Sequence, residues 1–187
     1  AVQAGMLAST ALAGMMFGAM IFGSLADKIG RKKVIMICIV LFSGLTCAGG
    51  FASNPTEFAV LRFLAGLGIG GVMPNLVALT SECAPQKMRS TLVTTMFSGY
   101  AVGGVMAALL GAWFTPSFGW QIMFFIAGIP LLLLPVIWKF LPGSLTFIVQ
   151  QNRQAEARKI VRRLAPTVTV KEDTTFELHQ VDVPESA

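Results

Sequence analysis

Charge is what this chain has least of. Asp, Glu, Lys and Arg make up 12% of its 187 residues against 55% hydrophobic residues, and mean hydropathy is +0.72. A soluble domain of this length could not hide so much apolar surface from water, so the chain reads as an all-α integral membrane protein. Histidine occurs once, as His179 in the polar tail, and reads as an exposed side chain without a role. The three cysteines, Cys38, Cys47 and Cys83, fall in or at the end of apolar runs without paired spacing. That excludes a disulfide framework or thiolate metal site and leaves them as small packing residues. Nothing resembles a catalytic triad, a metal set or a phosphate loop, so no enzyme chemistry, metal or cofactor is expected. No basic leader precedes the first apolar run, so no cleavable signal is expected, and the chain reads as a piece of a longer protein.

What is present is apolar length. Five spans are predicted, Val2 to Leu25, Val34 to Ala52, Phe58 to Thr80, Thr91 to Phe114 and Trp120 to Phe140, each near the ~20 residues that cross ~30 Å of hydrocarbon. The intervening loops are expected at Asp27 to Lys33, Ser53 to Glu57, Ser81 to Ser90 and Thr115 to Gly119. Lys28, Arg31, Lys32 and Lys33 fall in the first loop, Lys87 and Arg89 in the third, and seven further basic residues from Lys139 onward. Thirteen of the fourteen Lys and Arg residues therefore predict one orientation, with the first and third loops and the C-terminal segment in the cytoplasm. The net charge of +5 is thus topological; the basic residues flank apolar spans instead of forming a nucleic-acid stripe. Trp113 and Trp120 mark the outer interface and Trp138 the inner one. Beyond Leu141 the composition turns polar. Residues 144 to 165 set Leu145, Ile148, Ile160, Val161 and Leu164 against Arg153, Arg158, Lys159, Arg162 and Arg163, which suits an amphipathic helix on the inner leaflet or a solvated linker helix. Residues 167 to 187 are polar and lack a core.

Arg62 is the fourteenth basic residue and stands just over one turn inside the third span. An intramembrane guanidinium costs ~3 kcal/mol or more unless it faces protein or a wet cavity, which makes Arg62 a candidate for substrate or proton coupling; the alternative is that it snorkels to the outer interface. Gly66, Gly70 and Pro74 follow at four-residue intervals, and the fourth span repeats the device with Gly99 and Gly103, so both ridges are expected to pack closely against neighbours. Gly14 and Gly18 in the first span are a third such ridge. Glu82 and Arg89 flank Pro85 and could pair with each other or with Arg31 and Asp27. Such a pair is worth only ~0 to 1 kcal/mol at a surface, which suits a latch better than a structural strut. Asn75 and Tyr100 are among the polar side chains able to line a substrate path, with helix-to-helix hydrogen bonding as the alternative.

The run Gly23-x-Leu25-Ala26-Asp27-Lys28-x-Gly30-Arg31-Lys32-Lys33 resembles the signature loop between helices 2 and 3 of the major facilitator superfamily. Arg62-x3-Gly66-x3-Gly70-x3-Pro74 resembles its helix 4 motif, and Glu82-x6-Arg89 its charge pair at the end of that helix. More narrowly, Met73 to Glu82, Phe97 to Gly104, Gly119-Trp120-Gln121 and Leu141 to Leu145 resemble the aromatic acid/proton symporter family, transporters of benzoate and hydroxybenzoates. The resemblance implies that residues 1–141 are helices 2 to 6 of the N-terminal bundle and residues 142–187 the start of the central cytoplasmic loop. It implies a multi-pass protein of the bacterial inner membrane that imports a small aromatic carboxylate with protons. Its partners would be membrane lipid and the C-terminal half of the same transporter. A carrier of sugar acids or drugs, or a non-transporting membrane module, are the other readings. It also implies cytoplasmic gating by Asp27, Gly30, Arg31, Glu82 and Arg89. Two departures stand out: the family usually carries an acidic residue where Gly143 stands, and helix 1 and the second half lie outside this chain.

Overall fold

The computed structural model of the protein describes residues 2–141 and 143–150. Its helices are α1 Val2–Ile29, α2 Arg31–Gly49, α3 Pro55–Cys83, α4 Arg89–Phe118, α5 Gln121–Ile126, α6 Ile129–Phe140 and α7 Leu145–Gln150, with a 3-10 turn at Gln86–Met88. Five stretches are long and apolar enough to cross a membrane: Leu7–Ile29, Arg31–Gly49, Pro55–Cys83, Arg89–Phe118 and Gln121–Phe140. The expected fold class holds, with three differences in detail. The rest of the amphipathic segment beyond Gln150 and the polar tail with His179 lie outside the described residues.

The first difference is the charged loop, which shrinks to one residue. Asp27 and Lys28 ride on the last turn of α1, and Arg31, Lys32 and Lys33 form the first turn of α2. Only Gly30 leaves the helical conformation, at φ +94°, which an L side chain rarely adopts. Second, α3 and α4 run up to a turn beyond the expected spans, because stop signals and not apolar length set their ends. Pro55 opens α3, Ala84 before Pro85 closes it in extended conformation, and Gly119 at φ +80° closes α4. Third, the last span is broken. Pro130 has no N–H to continue the ladder, so the chain passes from α5 to α6 through three-residue turns, Gly128 N–H to the Phe125 carbonyl and Leu131 N–H to the Gly128 carbonyl, both 3.0 Å.

The tightest packing lies among α1, α2 and α3. Phe22, Ala26, Val34 and Cys38 form a buried cluster, with Leu25, Ile29, Leu41, Leu67 and Val72 against it. Along α1 and α3 the glycines interleave: Gly14 and Gly18 lie on the backbone carbonyls of Phe63 and Leu67, while Gly66 and Gly70 lie on those of Ala11 and Met15. The third helix also meets α2 at Gly68, where an added Cβ would stand 2.7 Å from the Cys38 carbonyl oxygen. By contrast α4, α5 and α6 bury no residue completely.

Candidate functional site

One end of the bundle gathers the described basic residues other than Arg62. Arg31, at the start of α2, donates through Nη1 to Oε1 of Glu82 at the end of α3. Their side chains are 24% and 15% exposed, so the pair is partly withdrawn from water and worth more than a free surface contact. The second carboxylate oxygen of Glu82 accepts a hydrogen bond from Ser144 Oγ at 2.6 Å. Ser144 is buried and caps α7: its Oγ accepts the Phe147 N–H at 3.3 Å and its carbonyl the Ile148 N–H at 3.1 Å. The capped turn sets the Phe147 ring on Gly30, where a Cβ would come within 3.0 Å of ring carbon Cδ1. Glu82 thereby ties α2, α3 and the post-span segment together.

Of the five residues expected in this cluster, Gly30, Arg31 and Glu82 come together. Asp27 and Arg89 are exposed, and among the described residues neither joins the Arg31–Glu82 ion pair. Gly143 brings no side chain to the cluster, and the next residue, Ser144, joins it through its hydroxyl. Sequence reasoning missed it, although a serine just ahead of an apolar run is a helix-start signal.

Arg62 lies near the opposite end, half-buried on α3. Its guanidinium carbon stands 5.3 Å from the centroid of the Phe58 ring and 4.9 Å from that of Phe124. Those rings belong to a cluster with Trp120: Phe58–Phe124 and Trp120–Phe124 are each 5.5 Å apart and Phe58–Trp120 6.2 Å, all edge to face. The nearby Glu57 is turned away, accepting from the Ser53 N–H at 3.3 Å. Among the described residues Arg62 meets no carboxylate. Contact with two aromatic faces is worth ~0.5 to 2 kcal/mol each, which offsets much of the cost of a guanidinium at this depth while leaving its charge uncompensated. Phe58 stands one turn earlier on the same helix, whereas Phe124 was not foreseen, since it comes from a helix some sixty positions away.

The remaining candidates divide by environment. Asn75 is buried, and its Nδ2 donates to the Phe22 carbonyl at 3.2 Å and to the Gly71 carbonyl at 2.8 Å, a tie between α3 and α1. Gly66 and Gly70 form the α1 seam, while Pro74, on the same ridge, is exposed. Tyr100 on α4 is 68% exposed. Gly99 and Gly103 beside it have nothing within 4 Å of an added Cβ, so the packed ridge expected on α4 has no neighbour among the described residues. No three of His, Cys, Asp or Glu gather as a metal site among the described residues.

The family model described as "Sugar (and other) transporter" matches residues 1–183. The chain is 51% identical over 183 residues to the benzoate transport protein of Acinetobacter baylyi, covering 95% of this chain and 39% of that protein. It is 41% identical over 169 residues to the 4-hydroxybenzoate transporter PcaK of Pseudomonas putida, covering 89% and 38%. Among solved structures, the inward-open xylose transporter XylE of E. coli superposes with a TM-score of 0.76 at 22% identity, over 87% of this chain and 42% of that one. The last likeness concerns the fold. The chain spans about two fifths of the length of the curated relatives it matches.

Proposed function

The chain belongs to the sugar (and other) transporter family of the major facilitator superfamily and is a multi-pass membrane protein; from that premise we propose that it is part of a proton-coupled importer of aromatic carboxylates such as benzoate. The observation that carries the reading is the 51% identity to a benzoate transport protein along nearly the whole chain. In this reading the described spans are helices 2 to 6 of a twelve-helix carrier of the bacterial inner membrane, working by alternating access, with the basic end in the cytoplasm.

Arg62 supplies the positive charge for the substrate carboxylate, and the lack of a carboxylate partner within the described chain supports that role. Tyr100 lines the path from α4, and Asn75 acts beside it by holding α1 on α3. Arg31, Glu82 and Gly30 latch the cytoplasmic side when the carrier faces outward, with Ser144 as a further member. Asp27 and Arg89, exposed at the same end, complete the latch with partners in the rest of the protein. A monoanion carried with one proton is electroneutral, whereas a second proton would draw on ~2.3 kcal/mol per 100 mV.

Uptake of labelled benzoate by the protein expressed from its complete reading frame tests the reading. Unlabelled hydroxybenzoate is expected to compete and sugar acids to leave uptake unchanged; the reverse order assigns a sugar-acid carrier. Arg62→Ala is expected to lower accumulation at least ten-fold with the protein still in the membrane, and normal accumulation removes Arg62 from the mechanism.

A further inference from the structure

Phe124, on the short helix α5, is held from several sides. Its side chain lies against Gly49 and Gly50 at the end of α2, where added Cβ atoms would stand 3.5 Å from its Cδ1 and 3.1 Å from its Cβ. Its ring meets those of Phe58 and Trp120 edge to face. Fixed in this way, it offers a face to Arg62, whose guanidinium carbon stands 4.9 Å from the ring centroid; Phe58 offers a second face at 5.3 Å. The two rings attract the guanidinium through its charge and occupy none of its N–H groups with an oxygen acceptor. Among the described residues those N–H groups meet neither a carboxylate nor a carbonyl. Without a ring to hold it, the flexible stem of Arg62 can carry the charge toward water at that end of the bundle, since Pro55, which opens α3, lies only about 10 Å away along the helix. A guanidinium kept at depth with its N–H fork unspent is preorganised for a carboxylate.

We propose that Phe124 is a positioning residue for transport: its ring face holds the Arg62 guanidinium where the substrate carboxylate is received, so that the electron density of the ring, and not only its bulk, sets substrate affinity. The proposal rests on the reading that Arg62 receives that carboxylate. Phe58 serves the same guanidinium from one turn away on the same helix and travels with it, whereas Phe124 belongs to another helix, so its hold exists only while α5 is seated on α2 and α3. An aliphatic side chain of similar bulk would fill the same space and withdraw the attraction.

Ring electronics supply the test. In the complete protein, phenylalanine carrying one, two or three ring fluorines is placed at position 124 by site-specific incorporation; each fluorine draws density from the ring face at nearly constant shape. The KM for benzoate uptake is expected to rise with each fluorine, by about five-fold at the third, the size of one cation–π contact, with the maximal rate within about two-fold. Phe124→Leu is expected to raise KM about ten-fold and Phe124→Tyr to keep it within about two-fold of the unsubstituted value. The fluorinated series covers the case in which Phe124→Leu does not fold. A KM that is flat or falls along the series, or a loss confined to the maximal rate, would overturn the assignment while leaving the benzoate reading in place. Absence of benzoate uptake by the unsubstituted protein would overturn that reading and this assignment with it.

Discussion

The ridges on α3 and α4 are written in the same code and meet opposite fates. Gly66 and Gly70 on α3 interleave with Gly14 and Gly18 on α1 until backbones touch, whereas Gly99, Gly103 and Gly104 on α4 face open space. Four-residue glycine spacing states that a helix can be approached closely and says nothing about whether a neighbour takes the offer. In α1–α3 the partner is in hand, and Asn75 locks the contact with its hydrogen bond to the Phe22 carbonyl. Tyr100 and Phe97 on α4 are both exposed as well. The chain spans about two fifths of the relatives it matches, and in the proposed reading the open ridge seats the remainder of the carrier.

The sharpest way to break this contrast is to add one methyl group to the closed seam. At Gly70 a Cβ would overlap the Met15 carbonyl oxygen and stand 2.7 Å from its carbon, and since both atoms are backbone nothing but helix separation relieves it. Gly70→Ala is therefore expected to cost about 3 kcal/mol, at the upper end for overpacking, read as a lowered unfolding midpoint in detergent. An unchanged midpoint would mean that the seam is not closed.

The spans were legible because the bilayer imposes a length and the basic residues an orientation, two signals that need no tertiary knowledge. Their ends were less so: α3 stops at Ala84 because Pro85 follows, and the last span breaks because Pro130 withholds an N–H, effects local to one residue and invisible to a count of apolar positions. At the basic end Arg31 and Glu82 were both legible as candidates, and the choice of Arg31 over Arg89 as partner was not, since it depends on how α2 leans on α3. The environment of Arg62 was out of reach for the same reason, as Phe124 arrives from α5.

Next in size is the tie at Glu82. Glu82→Ala removes the acceptor of both the Arg31 guanidinium and the Ser144 hydroxyl, groups already largely withdrawn from water. Its expected cost is about 2 kcal/mol, within the range for hydrogen bonds to charged groups. Proteolysis between α6 and α7 is expected to accelerate with it, because α7 then loses its anchor. Ser144→Ala is expected to be smaller, about 1 kcal/mol, the usual worth of a helix N-cap, with the Arg31–Glu82 pair left intact. Should Ser144→Ala match Glu82→Ala in both readouts, the hydroxyl and not the ion pair would be what joins the post-span segment to the bundle.

The smallest expected effect on stability tests the comparison most directly. Gly103→Ala places a methyl group where nothing stands within 4 Å, and replaces the poorest ordinary helix former with the best, so the described helices are expected to hold or gain up to about 1 kcal/mol. If α4 is where the rest of the transporter seats, the same substitution lowers uptake by the complete protein several-fold with its unfolding midpoint preserved. Gly70→Ala, in contrast, is expected to lower both together. A loss of stability from Gly103→Ala as large as that from Gly70→Ala would show that both ridges are closed packing seams. Normal uptake alongside normal stability would leave the α4 ridge to lipid, and the glycine spacing there without a protein partner.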